Sequence, residues 1–292
     1  MARGKLSPHA TKPNPLTPIW LEPLTIERLT IEIPNLPSSL EGKKIVQLTD
    51  LHYDGKRLSN ELLEETITAS NRENPDLVVL TGDYVTDDPS PVHQLATYLK
   101  ELNSHHGTVA VLGNHDNYFL DSREMITKAL QRVDIEILWN TITYPFGPKL
   151  PIVGLADLWS GEFSPRPLLE QLDPDLPRIV LSHNPDTAAL LKPWRVDLQL
   201  SGHTHGGQVV LPKLGSFPVL LEPLRKNTPK LLHPYIPLLR DCARVVKHWE
   251  WGKGYHHVGE NQLYVNRGLG TYFPGRLNCP PELTVITLVQ DN

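Results

Sequence analysis

Short apolar runs that stop at a polar turn recur along this chain, and that repetition limits the folds open to it. Leu77-Val78-Val79-Leu80 is continuously apolar and stops at Gly82-Asp83. Such a run reads as a strand buried on both faces, the habit of parallel sheets. Lys44–Leu48 stops likewise at Thr49-Asp50-Leu51-His52, and Thr108-Val109-Ala110-Val111-Leu112 at Gly113-Asn114-His115-Asp116. Arg178-Ile179-Val180-Leu181 leads to Ser182-His183-Asn184, and Val196-Asp197-Leu198-Gln199-Leu200 to Gly202-His203-Thr204-His205. Helical signals lie between the runs. Ser59 is a good N-cap for a helix carrying Leu62, Leu63 and Ile67 that closes near Asn74-Pro75. A second helix passes through Leu95 and Leu99, and a third carries Met125, Ile126, Ala129, Leu130 and Val133. Further strands are expected over 24–33, where apolar and polar residues alternate, and over 151–155, 208–211, 263–266 and 283–288. The alternation predicts a mixed α/β domain with its polar groups at the carboxyl ends of strands, where open α/β sheets place their sites.

Each turn has an ordinary reading. Asp50 suits an Asx turn, Gly82-Asp83 and Gly113-Asn114 are common turn dipeptides, and His183 could be a satisfied core histidine. His203 and His205 could be solvated loop residues, although two imidazoles one residue apart cannot both enter a core. Five such coincidences in order are better explained by one cause. Carboxylate and amide oxygens mixed with imidazoles suit ions such as Mn, Fe or Zn. Two ions about 3.5–4 Å apart, bridged by a carboxylate, form a clamp for in-line displacement at phosphorus.

Composition narrows the partners. The 292 residues carry a formal net charge of −5, which argues against a nucleic-acid binder driven by basicity. Two cysteines, Cys242 and Cys279, offer neither a disulfide framework nor a cysteine zinc site. Residues 1–20 read as a flexible, Pro-rich basic arm, and 21–292 as a single domain. No secretory signal and no run long enough to span a bilayer is seen, so a cytoplasmic protein is expected.

With these turns assembled, the sequence resembles the calcineurin-like metallophosphoesterase superfamily. The matching blocks are Asp50-Leu51-His52, Gly82-Asp83, Gly113-Asn114-His115-Asp116, Ser182-His183 and Gly202-His203-Thr204-His205. Their flanks, with Tyr264-Val265-Asn266-Arg267-Gly268-Leu269-Gly270, look most like the YkuE/YaeI-type phosphodiesterase branch. The resemblance implies a four-layer α/β/β/α sandwich and two bound ions. Asp50, His52 and His205 would hold the first, Asn114, His183 and His203 the second, and Asp83 would bridge both. It implies attack by a metal-bridged hydroxide on a phosphodiester or pyrophosphate bond. His115, beside a ligand but not needed as one, is then free to protonate the leaving oxygen.

Asp116 could orient the His115 ring or face outward in a turn. Asp116 is also, with Asp157, Arg267 and Arg276, a candidate for substrate contact, since guanidinium suits phosphate, although most arginines lie at surfaces. In the branch, the connection over 219–254 is usually short, so that segment looks like an insertion. It mixes apolar residues with seven basic and three acidic ones, a net of +4. That composition fits an interfacial element docking on a membrane or covering a lipid, and equally an ordinary lid. The readings carried forward are a dinuclear phosphodiesterase or pyrophosphatase, a UDP-2,3-diacylglucosamine-type lipid pyrophosphatase at the membrane surface, and a scaffold without catalysis.

Overall fold

The computed structural model describes residues 18, 20–119, 121–229, 232 and 246–291. Most of the 1–20 arm and much of the 219–254 segment, including Lys230, Arg240 and Arg244, therefore lie outside the described residues. Trp20 itself is tied down, its amide donating to the Pro274 carbonyl at 3.2 Å while its carbonyl accepts from Arg276 N at 2.9 Å.

Two sheets form the frame. The first uses β1 (Thr25–Ile33), β2 (Lys44–Leu48), β3 (Leu77–Leu80), β4 (Thr108–Ala110) and β5 (Ile135–Ile137), before the chain crosses to the second sheet. The second uses β6 (Thr141–Thr143), β7 (Ile152–Gly154), β8 (Ile179–Leu181), β9 (Leu198–Ser201), β12 (Gly254–Val258) and β13 (Asn261–Val265). A small ribbon of β10 (Val210–Leu211) and β11 (Gly215–Ser216) follows β9, and β14 (Glu282–Gln290) returns to the first sheet. The strand orders are β1-β14-β2-β3-β4-β5 and β12-β13-β9-β8-β7-β6. β2, β3, β4 and β5 run parallel, as do β7, β8, β9 and β13. Both sheets thus present several carboxyl ends along one edge.

The period of two sorts each strand's side chains between layers. Ile45, Leu77, Val79 and Val109 meet Ile152, Ile179, Leu181 and Leu198 between the sheets. Val46, Leu48, Val78 and Leu80 face the other way, towards helices. Those are α1 (Asn60–Arg72), α2 (Val92–Leu99) and α3 (Ser122–Gln131). Ser59 caps α1 as expected, its hydroxyl accepting from Leu62 N at 3.2 Å. Leu63, Thr66, Ile67 and Ser70 form its buried stripe at helical spacing. α4 (Arg166–Leu169) and α5 (Thr187–Leu191) cover the second sheet through Leu168, Leu169 and Leu191 on Val153 and Val180. The result is the four-layer α/β/β/α sandwich. α6 (Phe217–Asn227) begins the 219–254 segment. Among the described residues, no helix is long and apolar enough to cross a membrane.

Candidate metal centre

At the carboxyl ends of β2, β3 and β9, the backbone leaves the strand through conformations that side chains rarely tolerate. Asp50, His52, Asp83, His203 and His205 all have positive φ, between 43° and 73°. Left-handed backbone at a non-glycine residue costs on the order of 1–3 kcal/mol, and such strain concentrates at functional sites. Close packing of the turns maintains it. A Cβ on Gly82, itself at φ +98°, would lie 2.5 Å from Gly113 N and 2.9 Å from His183 Nδ1. One on Gly202 would meet Asp50 Oδ2 at 2.2 Å. Gln47 ties the two sheets together just beneath, its amide donating to Thr81 Oγ1 and to the Ser201 carbonyl, each at 2.9 Å.

Two groups of ligand atoms result. In the first, His52 Nε2 and His205 Nε2 lie 3.1 Å apart, and His205 Nε2 is 3.4 Å from Asp50 Oδ1. In the second, His183 Nε2 is 3.2 Å from His203 Nδ1. Asp83 Oδ2 stands between them, 3.5 Å from His52 Nε2 and 3.2 Å from His183 Nε2. Its other oxygen accepts from His115 N at 2.9 Å, which fixes the carboxylate's orientation. Asn114 Oδ1 is buried without a hydrogen-bond partner, the state of an oxygen reserved for a ligand.

The outer ring nitrogens are already committed. His183 Nδ1–H donates to the Thr81 carbonyl at 2.7 Å and His205 Nδ1–H to the Gly270 carbonyl at 3.1 Å. Each bond fixes a tautomer whose Nε2 lone pair faces the cluster, the arrangement that a metal-binding imidazole needs. The residues present therefore fit two cations. Asp50, His52 and His205 form one candidate group and Asp83, His183 and His203 another, with ligand atoms within 4.8 Å of one another. His115 forms a third with His52 and Asp83.

Charge differs between the groups. Burial, with the nearby His115 ring second, holds His52 well below its ordinary pKa. Burial and then Arg276 do the same to His205. Burial would also lower His183, but Asp83, Asp50 and Asp157 outweigh it and lift the ring to about 10. Burial pushes Asp50 up to about 6. Asp83 is held well below the carboxylate range despite its burial, because His183, His115 and His52 surround it.

The other singled-out residues fall in varied places. His115 flanks the first group, its ring centroid 4.7 Å from that of His52. Its Nδ1–H donates to the Thr86 carbonyl at 2.7 Å, so Thr86, not Asp116, orients the ring. Asp116 is buried and accepts from Asp83 N at 2.8 Å, Tyr84 N at 2.9 Å and Gly113 N at 2.8 Å, bolting two ligand turns together. Burial, with the neighbouring Asp83 charge, pushes it up to about 8. Asp157 is buried near His183 and leaves Oδ1 without a hydrogen-bond partner. Arg267 pairs with Glu27 and Glu282. Arg276 is buried, and its guanidinium donates to Thr271 Oγ1 and to the carbonyls of Arg267, Gly268, Gly270 and Cys279. Two contacts around the centre carry no sequence signal of their own: Tyr272, 3.0 Å from His52 Nδ1, and Trp159, whose ring lies 5.0 Å from that of His203.

This geometry agrees with what the chain is similar to. A family model described as calcineurin-like phosphoesterase matches residues 43–207, which hold all the candidate ligands and His115. Phosphodiesterase YaeI of Escherichia coli (strain K12) is 34% identical over 252 residues, 84% of this chain and 82% of that protein. The uncharacterized metallophosphoesterase YkuE of Bacillus subtilis (strain 168) is 33% identical over 262 residues, 88% of this chain and 82% of its own length. The UDP-2,3-diacylglucosamine pyrophosphatase LpxG of Chlamydia muridarum (strain MoPn / Nigg) is 28% identical over 302 residues, 87% of this chain and 86% of that one. A family match over more than half of the chain, with relatives that align along most of it, fixes the assignment: the chain belongs to the calcineurin-like phosphoesterases, in the YkuE/YaeI branch, and is a phosphoric ester hydrolase.

Proposed function

We propose that the chain hydrolyses phosphodiester or pyrophosphate bonds at a centre of two metal ions (Mn, Fe or Zn). Asp50, His52 and His205 would hold one ion, Asn114, His183 and His203 the other, and Asp83 would be shared. The observation that carries this reading is the convergence of the His52, His205 and His183 Nε2 atoms on Asp83 and Asp50, while the Nδ1–H groups of His205 and His183 are bound by carbonyls behind them. When bound, two such ions neutralise phosphoryl charge and supply a hydroxide near neutral pH.

His115 has the geometry of a general acid. With Nδ1–H given to Thr86 O, the second exchangeable proton of the imidazolium would sit on Nε2, which is 3.3 Å from the Tyr118 hydroxyl. That proton can pass to the leaving oxygen, a contribution of about 10²–10⁴ in rate. The test combines ion analysis with turnover. Purified protein should bind two ions, chelation should abolish hydrolysis of a chromogenic diester, and Mn should restore it. Full activity in metal-free protein would overturn the reading, as would the absence of ion binding.

A lipid-linked pyrophosphate is the second reading. LpxG supports it by similarity, and the 219–254 segment supports it by position. Its far end is pinned to the ligand turn, the Thr204 hydroxyl donating to the Gly252 carbonyl at 2.6 Å. Asp186 accepts from Lys247 N and His248 N at 2.8 and 2.9 Å. At the near end, α6 exposes Val219 and Leu224. Binding to anionic vesicles should fall with salt and with the Trp249→Ala, Trp251→Ala double change. A wild type that ignores vesicles, together with unchanged lipid turnover after deletion of the segment, would leave the segment as an ordinary lid.

A further inference from the structure

His52 differs from His183 and His205 in what stands behind it. His183 and His205 each give Nδ1–H to a carbonyl, which can only accept. His52 Nδ1 instead meets the Tyr272 hydroxyl at 3.0 Å, a group able to donate or accept. Only one polarity leaves His52 able to bind a cation through Nε2, the atom that faces Asp83 and His205: Nδ1 must carry the hydrogen and the phenol oxygen must accept it.

The phenol is held for that task from several sides. Tyr272 N donates to Gln208 Oε1 at 2.7 Å, and Thr271 N donates to the Arg57 carbonyl at 2.9 Å. The Arg57 guanidinium, ion-paired with Asp54, lies 4.7 Å from the centre of the Tyr272 ring. The ring also meets His52 and His205 at centroid distances of 5.0 and 5.3 Å. Asp54 and Arg57 belong to the turn that follows the ligand pair Asp50 and His52, so the same segment presents His52 and clamps its tyrosine.

We propose that Tyr272 is the positioning residue for the first metal group, its hydroxyl accepting His52 Nδ1–H and so keeping the Nε2 lone pair directed at the ion. The inference rests on the two-ion reading above. It predicts an effect confined to one site, because no hydrogen bond or ring contact links Tyr272 to Asn114, His183 or His203 among the described residues.

The experiment is a two-site Mn²⁺ titration, followed by calorimetry and by the electron paramagnetic resonance signal of free Mn²⁺. Tyr272→Phe keeps the ring beneath Arg57 and removes only the acceptor. Its first-site dissociation constant should rise about 10- to 100-fold with the second site unchanged, the usual cost of losing a ligand's outer hydrogen bond. In the His52→Ala background, Tyr272→Phe should change neither site, because the coupling runs through His52. Equal weakening of both sites, no weakening, or a further loss in the His52→Ala background would overturn the proposal. A wild type that fails to bind two ions would sink the underlying reading instead. Nitrogen-15 histidine spectra of the zinc-loaded wild type give a check that needs no variant. The proton should be on His52 Nδ1, and a proton found on Nε2 would also overturn the assignment.

Discussion

The two candidate ligand groups would share Asp83 but are supported differently. The group of Asn114, His183 and His203 is built from strand ends, and the outer bond of His183 goes to Thr81 at the end of β3. The group of Asp50, His52 and His205 relies on the C-terminal loop. Gly270 O receives His205 Nδ1–H, Tyr272 stands behind His52, and Gly270 N donates to Asp50 O at 2.7 Å. That loop lies beyond residues 43–207, the part matched by the family model. The matched region therefore holds every candidate ligand, while the orientation of one group comes from elsewhere in the chain. Damage to the loop should be felt on one side of the centre, and damage to Asp83 on both.

Asp83→Asn should have the largest effect. It removes the charge shared by both groups, so both ions should be lost at micromolar metal and turnover should fall to background. Retention of one tightly bound ion would mean that Asp83 belongs to one group only. His115→Ala comes next, with a fall in turnover of about 10²–10⁴ and ion content kept. The loss should be greater for alkoxide-like leaving groups than for nitrophenolate, which departs without protonation. Loss of an ion in that variant would place His115 with His52 and Asp83 as a ligand.

Arg276→Met tests the asymmetry directly. The buried guanidinium gathers the carbonyls of Arg267, Gly268 and Gly270 into the loop that supports His205. Removing it takes the donor from the buried Arg267 and Cys279 carbonyls, at about 1–3 kcal/mol each, and one of two donors from Gly268 O and Gly270 O. Unfolding by denaturant should show a loss of at least that size, and the first ion should weaken well before the second. Equal weakening would mean that the C-terminal loop supports the whole centre.

How far the sequence revealed this arrangement follows from the kind of interaction involved. The central strands were legible because burial on both faces leaves an uninterrupted apolar run, as at Leu77–Leu80. The ligand turns were legible because Asp, Asn and His recur where such runs end. β6 (Thr141–Thr143) and β12 (Gly254–Val258) were not, since edge strands with exposed or half-exposed positions carry no such run. The parallel pairing of β1 with β14 is set by the return of the C-terminus and leaves no local mark. Guanidinium chemistry fits phosphate and backbone carbonyls equally well, so Arg276 read as a substrate group although the fold surrounds it with carbonyls. Asp116 read as a turn residue or a partner for His115 for a similar reason: its three amide donors converge only after β3 and β4 have paired. A tyrosine between Thr271 and Phe273 carries no metal signature, and its place behind His52 appears only in three dimensions.

Protonation offers a smaller effect that again separates the groups. His52 and His205 are held well below their ordinary values and Asp50 stands at about 6, so at pH 7 the first group has little proton to displace. His183, lifted to about 10, carries a proton that an incoming ion must expel. Ion uptake at the second site should therefore release about one proton at pH 7, measurable by calorimetry in buffers of different ionisation enthalpy. Its affinity should rise by up to about tenfold per pH unit towards pH 10. In ion-free protein the sign reverses. The raised pKa stabilises the fold fully below about 6.5, and that contribution is lost as pH rises through about 10. Proton release on filling the first site alone would contradict the contrast.

Thr204 lies between His203 of one group and His205 of the other, and its change should have the smallest effect. Its hydroxyl donates to Gly252 O at 2.6 Å and accepts from Gly206 N at 3.2 Å, joining the ligand turn to the end of the 219–254 segment. Thr204→Val keeps the shape and removes both bonds, a cost of about 1–3 kcal/mol for the acceptor and donor left behind. Because the residue is shared by both groups, the two ions should weaken by similar small factors, unlike the one-sided loss expected from Arg276→Met. Freed from the turn, the segment should also be cut sooner by protease under native conditions, with the core fragments intact. A one-sided loss of ion affinity would mean that the turn transmits strain to one group only. Unchanged cleavage would mean that Asp186, through Lys247 N and His248 N, is sufficient to anchor the segment.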